Sequence, residues 1–216
     1  MASEEELIEG NTMAIEGLQY LYGLSGCSQD LDKAVSYFKK GAELGNDTAM
    51  VQYGRLLRAG KGVPEDKEQA YEYFERAAEN NDSDGLFYCG NMLLVGDGIP
   101  ADPEKGAQYI KRSADLGKVD AMHMHGLNCA LGTGVPKNHE ESAKYIKMAA
   151  DNNHKESMRL YGDILKSGIG VPENKEEALK YYRMAAEQGD KEAQKEIENL
   201  KNGKEKENSS KCCILI

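Results

Sequence analysis

Ser36-Tyr-Phe-Lys39 places a lysine one helical turn from a serine, the arrangement in which a lysine can activate a serine for acyl transfer. Lys166-Ser-Gly168 could supply the Lys-Thr-Gly-like element that completes such a site. Gly60-Lys-Gly62, with a helix to follow, could turn backbone N–H groups toward a phosphate. Four histidines and five cysteines are the further candidates, as metal ligands or nucleophiles. All of these chemistries depend on a scaffold that brings the groups together, so the elements carrying them decide the matter.

The glycine loop recurs. Gly60-Lys-Gly62-Val-Pro64 is followed by Gly96-Asp-Gly98-Ile-Pro100, Gly132-Thr-Gly134-Val-Pro136 and Gly168-Ile-Gly170-Val-Pro172, at a constant step of 36 residues. Gly54, Gly90, Gly126 and Gly162 keep that step, as do Ala78, Ala114, Ala150 and Ala186, and the tyrosines 37, 73, 109, 145 and 181. A fixed period of this size signifies stacked supersecondary units. A phosphate loop occurs once and ends in lysine-serine or lysine-threonine, which none of the copies has, so the loop is a turn. Gly60 and its equivalents are expected to close a helix in the left-handed conformation, and the proline keeps the chain out of helix.

Two helices are expected per unit. The second starts at Asp30, Asp66, Asp102, Asn138 and Asn174, all good N-caps, and Gln69, Glu141 and Glu177 stand three residues on, where a capping box would use them. The first helix of the second unit runs from about Thr48 to Ala59 with Ala49, Met50, Tyr53, Leu56 and Leu57 inward. Gly54 beside that stripe allows a neighbouring helix to approach closely. The fold class that follows is all-α, an α-solenoid superhelix of stacked antiparallel helix pairs.

The pattern Ala49…Tyr53-Gly54…Leu57…Gly60-x-Gly62-Val…Ala70-x-x-Tyr73-Phe74-x-x-Ala77-Ala78-Glu79 resembles the Sel1-like repeat, a relative of the tetratricopeptide repeat. The resemblance covers about residues 12–200: five units, the first degenerate at Leu24-Ser-Gly26-Cys-Ser28, and a charged terminal helix from Lys191. Residues 1–11 form an acidic segment, 201–212 a flexible tail and 213–216 a prenylation box. Gly106 and Ser142 depart from the alanine of Ala70, and Asn128 from Leu56. Some bacterial Sel1-like proteins have been described as penicillin-binding, which bears on Ser36 and Lys166. Such an enzyme needs its Lys-Thr-Gly on a strand, whereas Lys166 is expected to end a helix and Ser36 takes the outward phase of Glu72 and Gln108. Catalysis is not expected.

His123 and His125 point to different faces of one helix, and His125 takes the slot of Tyr53, Cys89 and Tyr161, so it is expected to pack in the core beside a hydrogen-bonding partner. His139 and His154 fall in turn and helix-start regions. No set of ligands is expected to converge, so neither metal nor cofactor is expected. Cys89 and Cys129 read as small core hydrophobes. On the first helices one phase holds Val51, Phe87, His123, Arg159 and Lys195; the next holds Arg55, Asn91, Leu127 and Asp163; a third holds Arg58, Leu94, Ala130 and Lys166. Stacking would align them into a concave surface that binds a protein partner, with Phe87, Leu94 and Leu127 as its apolar centre.

A net charge of −10 over 216 residues argues against nucleic acid, which needs a basic face. No apolar run reaches the roughly 18 residues of a membrane span. The acidic start suggests no leader peptide, Ala2 excludes myristoylation, and the scattered cysteines suggest a reducing compartment. After Leu200 the chain turns polar and aperiodic, then ends Cys212-Cys213-Ile214-Leu215-Ile216. The last four residues fit Cys-aliphatic-aliphatic-X, with Cys213 as prenyl acceptor and Cys212 as a palmitoylation site. The expected protein is a monomeric, non-catalytic scaffold, tethered to the cytosolic face of a eukaryotic membrane with a cytosolic pool besides. A fungal chitin synthase activator resembles this chain in joining such repeats to a prenylation box, which implies the alternative of a dedicated activator of a membrane enzyme.

Overall fold

Leu57 and its equivalents sit where each pair of helices is joined, and their carbonyls explain how the repeat is held. The computed structural model describes residues 3–201, so Cys212 and Cys213 lie outside the described residues. Among these there are eleven helices and no strand: α1 Glu4–Tyr22, α2 Leu31–Glu43, α3 Asp47–Ala59, α4 Lys67–Glu79, α5 Ser83–Val95, α6 Pro103–Asp115, α7 Val119–Leu131, α8 His139–Asp151, α9 Lys155–Ser167, α10 Lys175–Glu187 and α11 Lys191–Lys201. They fall into two units, Met1–Ser113 and Ala114–Ile216, and each unit is a stack of helix pairs. No described helix is long and apolar enough to cross a membrane.

The turns are local chemistry. Gly60 ends α3 at φ +61°, and the Lys61 N–H reaches back to the Leu56 carbonyl at 3.1 Å, closing the helix end. The second helix then starts on the expected caps, with Asp66 Oδ1 accepting from the Gln69 N–H at 2.9 Å and Asn138 Oδ1 from the Glu141 N–H at 3.1 Å. The expected capping boxes are not the device used there. The cap residue's own N–H is already taken by the preceding helix: Asp66 N donates to Leu57 O, Asp102 N to Leu93 O, Asn138 N to Cys129 O and Asn174 N to Leu165 O, at 2.8–3.0 Å. One N–H cannot serve both, and the carbonyl bond ties the two helices of a pair together. The reciprocal box occurs instead at Ser3 and Glu6, which opens α1. Residues 4–11 are therefore the first turns of α1, and α3 starts one residue ahead of Thr48, after its cap Asn46.

Packing within a pair turns on the glycine series. A Cβ on Gly54 would meet Phe74 at 2.7 Å, on Gly90 Ile110 at 2.7 Å, on Gly126 Ile146 at 2.6 Å and on Gly162 Tyr182 at 2.6 Å. These partners are fully buried, so each glycine is the socket for one large side chain of the second helix. Burying a side chain of that size contributes about 1.5–3 kcal/mol. Gly17 and Phe38 make the same contact in the first pair, though 21 residues apart rather than 20, because the loop after α1 is longer by one. That insertion is why the first unit reads as degenerate while folding as its neighbours do. Between successive pairs the recurring tyrosines also bond: Tyr145 Oη donates to Asp115 at 2.5 Å and Tyr181 Oη to Asp151 at 2.7 Å.

Candidate functional site

The face expected to be free is, for the most part, a seam between repeats. Val51 is only 3% exposed and Ala130 is fully buried, both in the core. Arg58 Nε bonds Asp97 Oδ2 at 2.7 Å, and Lys67 holds the other oxygen of that carboxylate at 2.7 Å. His123 Nδ1 lies 2.8 Å from Ser157 Oγ, Arg159 Nε 3.4 Å from Asp190, and Lys166 Nζ 2.7 Å from Glu196. Asp97 and Ser157 belong to the following repeat, Asp190 directly precedes α11, and Glu196 lies on α11. Asp163 is held by Tyr182 Oη at 2.7 Å and Arg159 at 3.2 Å, and its burial pushes its carboxyl pKa up. Leu94 packs beside Gly106, where a Cβ would meet the Leu94 nitrogen at 3.0 Å, and Leu127 packs on the core of unit two. Phe87 and Asn91 are half-buried, Phe87 edge-on to Tyr88. Arg55 and Lys195 are the residues of these rows that are exposed. The assignment is corrected accordingly: a first helix packs between its own second helix and the preceding one, and the chain that stacks next takes up most of its remaining side.

What stays open lies one residue further round. In unit one Ile15, Gln52 and Tyr88 are equivalent, as are Tyr22, Ala59 and Val95. Tyr22 is 57% exposed and Val95 73%. Tyr22, Gln52, Arg55, Ala59 and Tyr88 line a groove of about 560 Å³ whose rim also holds Arg58 and Lys61. The Arg55 guanidinium lies over the Tyr88 ring, 5.8 Å from its centroid, and bonds Gln52 at 3.0 Å. The groove thus offers aromatic surface and guanidinium groups together, the residue types that dominate binding hot spots. Sequence reasoning missed Tyr22 because it lies in the slipped first repeat, and Tyr88 because it neighbours Phe87.

The chemical candidates separate clearly. Ser36 is exposed on α2 of unit one, while Lys166 lies on helix α9 of unit two with its ammonium engaged by Glu196. Nothing about either builds a serine nucleophile. His139 opens α8, and His154 caps α9, accepting from the Ser157 N–H at 3.2 Å. The His123 and His154 rings stack at 4.5 Å, and burial together with that neighbouring histidine lowers the His123 pKa to about 4. Cys89 is buried as expected, which pushes its thiol well above the usual range. His125 is buried and does have its expected partner, Glu141, with Nε2 to Oε1 at 3.3 Å. The expectation that no ligand set converges is overturned here: His125, Cys129 and Glu141 bring their ligand atoms within 4.8 Å of one another.

Stacked helix pairs at a 36-residue period, joined by a left-handed glycine turn, define an α-helical repeat solenoid. Five successive stretches, residues 17–46, 48–82, 83–118, 119–154 and 155–190, match the Sel1 repeat, and the chain belongs to that family. Sel1 repeat proteins mediate protein–protein interaction. A Sel1 repeat protein from Oxalobacter formigenes is 30% identical over 87% of this chain and 76% of its own, with a TM-score of 0.80. A protective antigen of uropathogenic Escherichia coli strains with an SLR fold is 28% identical over 90% of this chain, with a TM-score of 0.83. This chain spans 42% of that antigen's length. A sel1 repeat protein from Klebsiella pneumoniae, 17% identical over 93% of this chain and 97% of its own with a TM-score of 0.56, shares the fold. No curated protein matches the chain in sequence.

Proposed function

We propose that the chain is a non-catalytic adaptor that holds a segment of a partner protein in the groove of unit one and is tethered to the cytosolic face of a membrane by a prenyl group on Cys213. The groove carries the reading: exposed Tyr22, half-buried Tyr88 and the Arg55 guanidinium converge on one concavity of about 560 Å³. The chain is acidic, at −10, yet Arg55 and Lys61 gather at this rim, beside an Arg58 already held by Asp97. That local charge suits a partner segment bearing carboxylates beside apolar side chains. Partner capture by the full chain should fall at least tenfold in Tyr22→Ala and Arg55→Glu with melting unchanged. Capture that survives both substitutions overturns the groove as the binding surface.

The tether rests on Cys213-Ile214-Leu215-Ile216 at the end of a polar stretch. A single lipid chain needs a second signal for stable anchoring. Lys201, Lys204, Lys206 and Lys211 could contribute about 1 kcal/mol each at an anionic leaflet, but Glu205 and Glu207 offset part of that. Cys212 is the better second anchor, through palmitoylation. Such a lipid implies a eukaryotic cytosol. Cys213→Ser should become fully cytosolic and Cys212→Ser partly so, with intact mass reporting each lipid. A Cys213→Ser protein that stays on membranes as the parent does would sink the tether.

A further inference from the structure

His125 and Cys129 stand where the other repeats hold different residues, and Glu141 faces them from the next helix. The equivalents of His125 are Tyr53, Cys89 and Tyr161; those of Cys129 are Leu57, Leu93 and Leu165; those of Glu141 are Gln69, Lys105 and Glu177. In the repeat of α7 and α8 alone, an imidazole and a thiol replace two core side chains one helical turn apart and face a carboxylate. Both α7 residues are 1% exposed, whereas Glu141 is half-buried at the start of α8, its N–H bonded to the Asn138 cap.

Two of the three ligand distances match those around one ion. The third, between Cys129 and Glu141, lies within 4.8 Å, a span that the half-buried Glu141 side chain closes on binding. Zinc sits about 2.0–2.1 Å from histidine nitrogen, about 2.3 Å from thiolate and about 2.0–2.2 Å from carboxylate oxygen, so a tetrahedral site separates nitrogen from sulfur by about 3.5 Å and nitrogen from oxygen by about 3.4 Å. Here Nε2 to Sγ is 3.4 Å and Nε2 to the Glu141 oxygen is 3.3 Å. We infer that His125, Cys129 and Glu141 form a binding site for a borderline-soft divalent cation of the zinc class, clamping α7 to α8. Imidazole, thiolate and carboxylate together select such an ion over magnesium or calcium, which take oxygen ligands. Three protein ligands leave a fourth position to solvent or to a partner's donor atom.

The binding step balances simply. The Cys129 S–H bond breaks, its proton goes to solvent, and the thiolate lone pair forms the metal–sulfur bond; the Nε2 lone pair and the Glu141 carboxylate complete the set. No oxidation state changes, and affinity rises with pH because a proton is released.

Cobalt(II) titration of the full chain tests this, since a thiolate ligand gives a near-ultraviolet charge-transfer band and four-coordination an intense visible one. One cobalt per chain should bind with both bands, be displaced by zinc, and raise the melting temperature. Cys129→Leu and His125→Tyr install residues the other repeats use, so they should fold. Cys129→Leu should abolish the charge-transfer band, and Glu141→Gln, at a half-buried position, should weaken binding at least tenfold. No thiolate band from the parent protein at millimolar cobalt overturns the site. So does a band that persists in Cys129→Leu, which would belong to another cysteine, and so does unchanged affinity in Glu141→Gln.

Discussion

Gly126 faces Ile146, and a methyl group built on it would lie 2.6 Å from both Cγ1 and Cδ1 of that side chain and 3.2 Å from the Ile146 nitrogen. Ile146 is fully buried and has no room to swing outward, so α7 and α8 must part. Overpacking of this kind costs about 1–3 kcal/mol, while alanine in place of glycine inside a helix returns about 1 kcal/mol. Gly126→Ala should therefore destabilise by about 1 kcal/mol. Gly126→Val, bulkier and stiff at χ1, should cost about 3 kcal/mol, or roughly 6–12 °C in melting temperature for a chain of this size. The sharper test is the background Ile146→Ala, itself expected to cost about 2–5 kcal/mol. With the isoleucine gone the collision goes too, and Gly126→Ala should become stabilising by somewhat under 1 kcal/mol, the 3.2 Å approach to the nitrogen trimming the gain. Urea unfolding of the four proteins gives the cycle directly. If Gly126→Ala costs as much without Ile146 as with it, the glycine is not a socket for that side chain and the packing account of the repeat is wrong.

Acid should weaken the protein through His123. Its folded pKa of about 4 lies below the unfolded value, so between pH 6.5 and 4 the unfolded chain binds the extra proton and stability falls as pH falls. With the partial exposure of the ring discounted, the loss should be on the order of 1–2 kcal/mol, and His123→Gln should flatten that part of the stability–pH profile. Asp97→Ala leaves Arg58 and Lys67 without their shared carboxylate and should cost about 1 kcal/mol, a difference that shrinks when unfolding is repeated at high salt. Leu127→Ala, in a side chain packed on the core of unit two, should lower the melting temperature measurably. Unchanged melting would restore Leu127 to the free surface.

The sequence by itself determined the caps, the turns and the period of the repeat. Asp66, Asn138 and Asn174 cap helices because a short polar side chain one residue ahead of a helix meets its free N–H groups wherever the pair is placed. Gly60 and its equivalents end helices because only glycine takes the left-handed turn without strain, and Gly54 with its series announces close packing through its missing side chain. Which face stays free is a different kind of fact. Val51 and Gln52 are neighbours, about 100° apart around a helix, and only the placing of the next pair buries the former and leaves the latter at the groove. Arg58, Arg159 and Lys166 read as surface charges until the chain that stacks next supplies Asp97, Asp190 and Glu196. His125 and Cys129 share a helical face by spacing alone, but Glu141 reaches them only because the Asn138 N–H, bonded to the Cys129 carbonyl, sets the start of α8 against the end of α7. That register is a product of tertiary packing, and the meeting of imidazole, thiol and carboxylate follows from it.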